Sequence, residues 1–175
     1  MNIRQEEIQD YKEVFNLIEN AFKDEKFTDH KEQFLVERLR KSKSFVPKLS
    51  LVAEIDDQIV GYILLTKIKI ITSKAQEVSS LALAPIAVLK KHQGKGIGGK
   101  LILKAHQKAK ELGFGSVILL GHENYYPRFG YKMTKEYDIR LPFDVPAENC
   151  MLIELSENAL DHVNGIVEYP KEFYQ

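Results

Sequence analysis

The stretch Leu83-Ala84-Pro85-Ile86-Ala87-Val88-Leu89-Lys90-Lys91-His92-Gln93-Gly94-Lys95-Gly96-Ile97-Gly98-Gly99-Lys100 sets an apolar run against a turn rich in glycine and lysine. Its apolar half closes a strand that begins near Glu77, with Pro85 inside it. Proline has no amide hydrogen to give a ladder, so a strand with one in its middle must bulge or part from a neighbour there. Beyond the glycines, Leu101, Ala105, Ala109 and Leu112 share one face of a helix starting near Gly98, and Gly113 is the residue type that ends helices. Ser116 to Leu120 is then continuously apolar, as a buried parallel strand is. Strand, glycine turn, helix and strand make a right-handed crossover unit.

On the amino-terminal side, Tyr11, Val14, Phe15, Ile18, Ala21 and Phe22 recur at helical spacing, with Asp10 and Glu13 at capping-box spacing, which predicts a helix near 10–22. Phe34, Leu35 and Leu39 predict a second helix that starts after Thr28 or Asp29 and ends near Ser42. Pro47 separates it from a strand at Leu51–Ile55. Asp56-Asp57-Gln58 then supplies a turn into Ile59–Leu65, and the alternation of Thr66–Ile71 carries that strand onward. Downstream, Tyr125–Tyr131 reads as a turn region, Met151–Leu155 as a late strand, and the tail from about Asn158 shows no pattern. The expected fold is α/β, a single domain over 1–175 with its core in about 1–155. It holds a mixed, largely antiparallel sheet flanked by helices around the central crossover.

Composition narrows the function. A chain of 175 residues, 44% hydrophobic and 29% charged, builds an ordinary core and is neither collagen-like nor low-complexity. Its 25 basic and 25 acidic residues cancel, so nucleic acid and anionic membrane find no net attraction, and any anion must be held locally. Cys150 is a lone thiol in an apolar strand, which excludes an internal disulfide and argues against a cysteine nucleophile. His30, His92, His106, His122 and His162 lack metal-ligand spacing, so no metal is expected. With no basic-then-apolar leader and no apolar run of about 18 residues, the expected location is the cytoplasm.

Three anion-binding patterns overlap in the glycine turn. Gly94-x-Gly96-x-x-Gly99 fits a dinucleotide fingerprint, but Glu111 and Glu123 straddle the position of its ribose-binding acid poorly. Gly94-x-x-x-x-Gly99-Lys100 imitates a P-loop, but Leu101 stands where magnesium needs a hydroxyl. Gln93-x-x-Gly96-x-Gly98, preceded by Leu83–Val88, resembles the acetyl-coenzyme A motif of the GCN5-related N-acetyltransferases (GNAT). The order of elements over about 1–155 resembles that family too, as does Tyr126-x-x-x-Gly130-Tyr131 some thirty residues on.

The resemblance implies an acyl-CoA N-acyltransferase fold and acetyl-coenzyme A as cosubstrate. Gln93, Gly94, Lys95, Gly96, Ile97, Gly98 and Gly99 would hold the pyrophosphate, because bare backbone amides at a helix mouth suit an anion. Lys90, Lys91 and Lys100 add positive charge nearby, Lys90 and Lys91 fitting a solvated face equally well. The backbone of Ile86, Ala87 and Val88 would take the pantetheine arm as an added strand, with the Val88 amide facing the oxyanion. Tyr126 would protonate the departing thiolate, as a phenol of ordinary pKa ~10 can, with Tyr125 as the alternative if the register slips.

Some relatives carry a glutamate on the strand before the turn. Ala82 stands there, near Glu77, Ser79 and Ser80, so the general base is unassigned; His122 and Glu123 follow the 116–120 strand without being assigned a role. The family's asparagine before the tyrosine is not reproduced, Asn124 being only two positions ahead. The implied activity is direct transfer of an acetyl group to a primary amine on a small molecule or peptide. The alternative is a non-catalytic acyl-coenzyme A sensor on the same scaffold. No nucleic-acid or membrane partner is implied, and a homodimer is compatible with the sequence.

Overall fold

Fifteen residues of unbroken strand, Gln58–Thr72, form the spine of the fold, a run of β-branched and aliphatic residues long enough to serve two groups of neighbours. The structure, a computed structural model, describes residues 1–26 and 28–175. In chain order the elements are β1 (Asn2–Gln5), α1 (Tyr11–Phe22), α2 (Glu32–Arg40), β2 (Ser50–Ile55), β3 (Gln58–Thr72), β4 (Glu77–Val88) and α3 (Ile97–Glu111). There follow β5 (Ser116–Leu120), β6 (Lys132–Met133), β7 (Ile139–Arg140), β8 (Cys150–Glu154) and β9 (Gly165–Glu168). The strand order is β1-β2-β3-β4-β5-β8-β6, with β9 beside β3 and β7 beside β9. The β4–β5 and β7–β9 pairs are parallel, and β1–β2, β2–β3, β3–β9, β5–β8 and β6–β8 are antiparallel. This is the mixed, largely antiparallel α/β arrangement expected of an acyl-CoA N-acyltransferase, and β4-turn-α3-β5 is the expected crossover.

The chain divides into two compact units, Met1–Thr66 with Ala84–Lys108, and Lys67–Leu83 with Ala109–Gln175. In the first, Val14, Leu17 and Ile18 of α1, Val36 and Leu39 of α2, and Leu101, Ile102 and Ala105 of α3 are buried, as are Leu51, Val52, Tyr62, Ile63 and Leu64 of the hairpin. Each valine, leucine or isoleucine so buried contributes about 1.5–3 kcal/mol. The close seat of α3 has an identifiable cause: a side chain at Gly61 would stand 3.0 Å from Leu101 Cδ1 and 3.1 Å from Ile97 Cγ2. The bare strand residue thus lets the first turn of the helix down onto β3. In the second unit Ile68, Ile70, Ala82, Ile118, Ile139, Leu152, Leu160, Val167 and Tyr169 form one apolar cluster.

Several boundaries differ from the sequence reading. Asp10 does not cap α1 with its side chain; its carboxylate accepts from Arg4 Nη1 at 2.6 Å and from the Glu7 amide at 2.8 Å, and Glu13 accepts from the Ile59 amide at 3.0 Å. The second helix begins at Glu32, because Thr28 and Asp29 accept from the amides of His30 and Lys31, both 3.0 Å, and so shape the turn ahead of it. The tail is not patternless: β9 runs antiparallel to β3, with Lys69 opposite Glu168 and Thr72 opposite Gly165. β1 was also unread, and it pairs with β2 from Asn2–Glu54 to Gln5–Leu51. No helix among the described residues is long and apolar enough to cross a membrane.

Candidate active site

The first group of candidate residues lies where β4 gives way to α3. The strand continues through Pro85 to Val88, with Ala87 buried and Ile86 and Val88 half-buried on the opposite face. The Leu89 amide then donates to the Val60 carbonyl at 3.0 Å, tying the strand end to β3. Gln93 Nε2 donates to the Val88 carbonyl at 3.1 Å. The motif glutamine therefore braces the turn, a role its residue type alone does not reveal. Gly94 and Gly96 sit at φ +73° and +77°, the left-handed region that a side chain disfavours, and no protein atom lies within 4 Å of where either Cβ would be. The turn needs glycine for its path, and the space above it is open.

The Lys100 amide makes a helical bond to the Gly96 carbonyl at 3.1 Å. The amides of Ile97, Gly98 and Gly99 precede it and have no carbonyl one turn back to accept them. Buried Ile97 pins this end of the helix while Gly98 and Gly99 stay half-exposed. The result is a row of bare N–H groups at the positive end of a 15-residue helix, a surface suited to a diphosphate. The four nearby lysines separate in use. Lys90 pairs with Asp24, and Lys91 donates to Gln58 Oε1 at 3.0 Å. Lys95 and Lys100 are exposed and have no such partner among the described residues. Loss of hydration, then Lys95 and Lys91, hold the His92 imidazole below its ordinary value.

The second group follows β5. Tyr126 opens a short 3-10 turn that Gly130 closes at φ +93°, its amide donating to the Pro127 carbonyl at 3.0 Å. Only 7% of Tyr126 is exposed. Its ring lies on the backbone of Gly121, where a Cβ would come within 2.2 Å of Cε2 and 2.8 Å of Cδ2. Edge contacts with Tyr125, centroids 5.1 Å apart, and Tyr131, 5.7 Å, fix the ring from two other sides. Its hydroxyl makes no hydrogen bond within the described residues and is not sealed from solvent. Burial, with Tyr125 second, raises its pKa well above that of an ordinary phenol, so it stays protonated. Tyr125 is only half-buried, with the Arg128 guanidinium 4.7 Å above its ring and Phe129 at its edge.

Asn149 escaped the sequence reading. Its carbonyl accepts from the Gly121 amide at 3.0 Å, and its Nδ2 donates to the Gly121 carbonyl at 2.9 Å and to Glu123 Oε2 at 3.2 Å. It thereby fixes the backbone on which Tyr126 rests. No sequence pattern announces it, since an asparagine ahead of a strand reads as turn chemistry.

The other polar residues considered have structural places. Ala82 is buried opposite Ile118. The Ser80 hydroxyl lies 2.7 Å from that of Ser116, and Glu77 pairs with Lys69 at 2.7 Å. His122, Glu123 and Asn124 are exposed, Asn124 Nδ2 donating to Glu123 Oε1 at 3.3 Å. Burial, with Glu148 second, pushes the Cys150 thiol up, which opposes thiolate chemistry. No cluster of three or more metal-ligating side chains occurs among the described residues.

The model of the acetyltransferase (GNAT) family matches residues 11–131, more than half of the chain. Among curated proteins, the uncharacterized N-acetyltransferase YhbS of Escherichia coli is 29% identical over 126 residues, 71% of this chain and 74% of the relative. The uncharacterized N-acetyltransferase YjhQ of the same organism is 37% identical over 122 residues, 68% and 66% of the two chains. Among solved structures, YhbS of Escherichia coli in complex with CoA is similar with a TM-score of 0.88 and 26% identity, over 99% of this chain and 92% of that one. A GNAT family acetyltransferase from Brucella melitensis in complex with acetyl-CoA gives 0.80 and 31%, over 98% and 97%.

Proposed function

This chain belongs to the acetyltransferase (GNAT) family and is an acyltransferase, and from that premise we propose that it moves the acetyl group of acetyl-coenzyme A directly to a primary amine. The observation that carries the reading is the turn Gly94–Gly99: bare amides at a helix mouth, open space above both left-handed glycines, and Lys95 and Lys100 left without acidic partners. A diphosphate bound there exchanges hydration for amide donors and nearby cations, while the backbone of Ile86, Ala87 and Val88 offers an extended edge to the two amides of pantetheine.

In the proposed reaction the neutral amine attacks the thioester carbonyl carbon, and the oxyanion that forms takes a hydrogen bond from the Val88 amide. Collapse breaks the carbon–sulfur bond. Tyr126 gives its proton to the sulfur, and the proton lost by the amine returns through water to the phenolate. The buried, permanently protonated phenol with an unpaired hydroxyl supports Tyr126 over Tyr125 for this role. With Ala82 in the place of a carboxylate base, amine basicity matters. A lysine-type amine of pKa ~10.4 is neutral in only about one molecule in 2,500 at pH 7, whereas an α-amine near ~8 needs little help.

Release of free thiol from acetyl-coenzyme A across a panel of amines tests the proposal. Tyr126→Phe is expected to slow turnover by about 100-fold, in the range that general acids contribute, with acetyl-coenzyme A affinity within about twofold of the parent. Tight binding without thiol release on every amine would make the protein a sensor. Thermal stabilisation by ATP or NAD but not by acetyl-coenzyme A would reassign the glycine turn to a nucleotide.

A further inference from the structure

The carboxyl end of β5 presents two faces, and the proposed proton donor uses only one. Strand residues alternate sides. Leu119 and Gly121 point to the face on which Tyr126 packs. Ile118 and Leu120 point to the other, where the β5–β8 register sets Leu152 opposite Ile118 and Cys150 opposite Leu120. Tyr169, just past β9, packs into the Ile118–Leu152 cluster. It is 7% exposed, with ring centroids 4.9 Å from both Phe143 and Phe173. Its hydroxyl has no hydrogen-bond partner within the described residues and is not sealed from solvent. It lies near enough to the Cys150 thiol and the Tyr174 hydroxyl for charge on either to act on it.

Exposed apolar side chains stand on the segments that flank this phenol. Leu120 is 39% exposed, Val145 37% and Tyr174 58%. The Tyr174 ring meets Phe143 at 5.9 Å, and Val145 leads into Pro146, whose carbonyl accepts from Cys150 Sγ at 3.7 Å. Three exposed apolar side chains around a buried but unpaired hydroxyl are the composition of a ligand surface, many apolar groups with one polar group to orient the guest. Glu148 lies close enough to act on the Cys150 thiol, and Asp144 is on the same exposed segment. Such a rim draws an ammonium group.

We propose that the face bearing Leu120, Cys150 and Tyr169 is where the acetyl acceptor docks, and that the acceptor is a primary amine with an apolar, preferably aromatic, body. This rests on the transferase reading above. Tyr126 already fills one face at the end of β5, which leaves the other face open to the amine. Tyr169 is the polar contact that orients the guest, and Leu120, Val145 and Tyr174 bury its body.

Cys150 is the only thiol in the chain, which makes its alkylation by iodoacetamide a local reporter. The full-length protein, loaded with coenzyme A, is alkylated with and without phenethylamine or ethylamine, and the steady-state constants of both amines are measured with acetyl-coenzyme A. Phenethylamine is expected to slow alkylation several-fold and to have a KM about 10-fold below that of ethylamine, as burial of a ring predicts. Tyr169→Phe should raise the phenethylamine KM about fivefold with kcat nearly unchanged, as loss of one hydrogen bond does, and weaken the protection of Cys150. Leu120→Ser at the exposed strand end should act likewise, which covers the case in which the tyrosine variant folds poorly. Turnover of phenethylamine without protection of Cys150, or with KM unchanged in both variants, would overturn the assignment. Protection without any thiol release would keep the docking face and discard the transfer reaction, and absence of both protection and turnover would overturn the face itself.

Discussion

Gly121 and Gly94 are both glycines, but substitution at each meets a different obstacle. At Gly94 the obstacle is φ, since a Cβ there would meet no protein atom within 4 Å. At Gly121 it is the Tyr126 ring, 2.2 Å from the missing Cβ and held by Tyr125 and Tyr131. An aromatic ring confined on three sides cannot yield by a rotamer change. Gly121→Ala should therefore displace the phenol and cost about 1–3 kcal/mol of stability, the range for overpacking. Urea unfolding would measure that loss. Turnover is expected to fall nearly as far as in Tyr126→Phe, with acetyl-coenzyme A affinity retained. A fully active Gly121→Ala protein would show that the position of this ring does not matter for transfer. Nothing in Leu120-Gly121-His122 tells a reader that a ring five residues on rests there, whereas Gly94 and Gly96 were legible because their spacing is itself the signal.

Among elements, the amino-terminal strand is held by a buried charge that sequence patterning hides. Glu6 follows β1, with its amide donating to the Ser50 carbonyl at 2.8 Å and its side chain 1% exposed. Its carboxylate pairs with Arg40 of α2 and accepts from the Ser50 hydroxyl of β2 at 2.6 Å, and that hydroxyl is 2.8 Å from the Tyr62 hydroxyl of β3. Arg40 is stacked 4.0 Å over the ring of Tyr11 in α1. Five elements thus converge on one carboxylate. Arg40→Met keeps much of the side-chain volume but strands the buried charge, so it should cost about 3–5 kcal/mol; adding Glu6→Leu should recover much of that, since an apolar pair can replace a buried ion pair. Denaturant midpoints of the parent and the two variants decide it, and near-equal loss in the single and double variants would refute the charge argument. The same chemistry explains why β1 was illegible. Asn2-Ile3-Arg4-Gln5 offers one apolar residue, and its partners, Arg4 with Asp10 and Glu54 included, are specified by folding and not by local periodicity. β9 is hidden likewise, because four residues of tail find their partner in β3 nearly a hundred positions earlier. The crossover at 77–120 was readable because its strand, turn, helix and strand each carry their own local pattern.

For the molecule as a whole, a balanced charge implies that any anion is held locally, but it does not say which lysines lack partners. Asp24 and Gln58, far from the turn in sequence, take up Lys90 and Lys91 and leave Lys95 and Lys100. Global stability carries a similar hidden dependence through His106 on α3, which is 9% exposed. Burial pushes its imidazole pKa down to about 4, against about 6.5 in an unfolded chain. Below pH 6.5 the unfolded chain therefore binds a proton that the folded one refuses. The stability this site supports is whole above that pH and drains away as pH falls toward 4, by up to about 3 kcal/mol if the full shift is realised. Asp10 acts in a lower window. Its hydrogen bond with Arg4 lowers the folded-state pKa, so its contribution persists above the unfolded carboxylate range near ~3.9 and is lost as pH falls through the folded value. The two groups can thus be told apart by where the slope appears. Between pH 7 and 4.5 the unfolding free energy of the parent should fall by about 2 kcal/mol relative to that of His106→Leu, because only the parent must keep a histidine unprotonated on folding. General acid effects act on both proteins and cancel in the difference. Parallel curves across that interval would mean that His106 accepts its proton in the folded state and that α3 tolerates the charge.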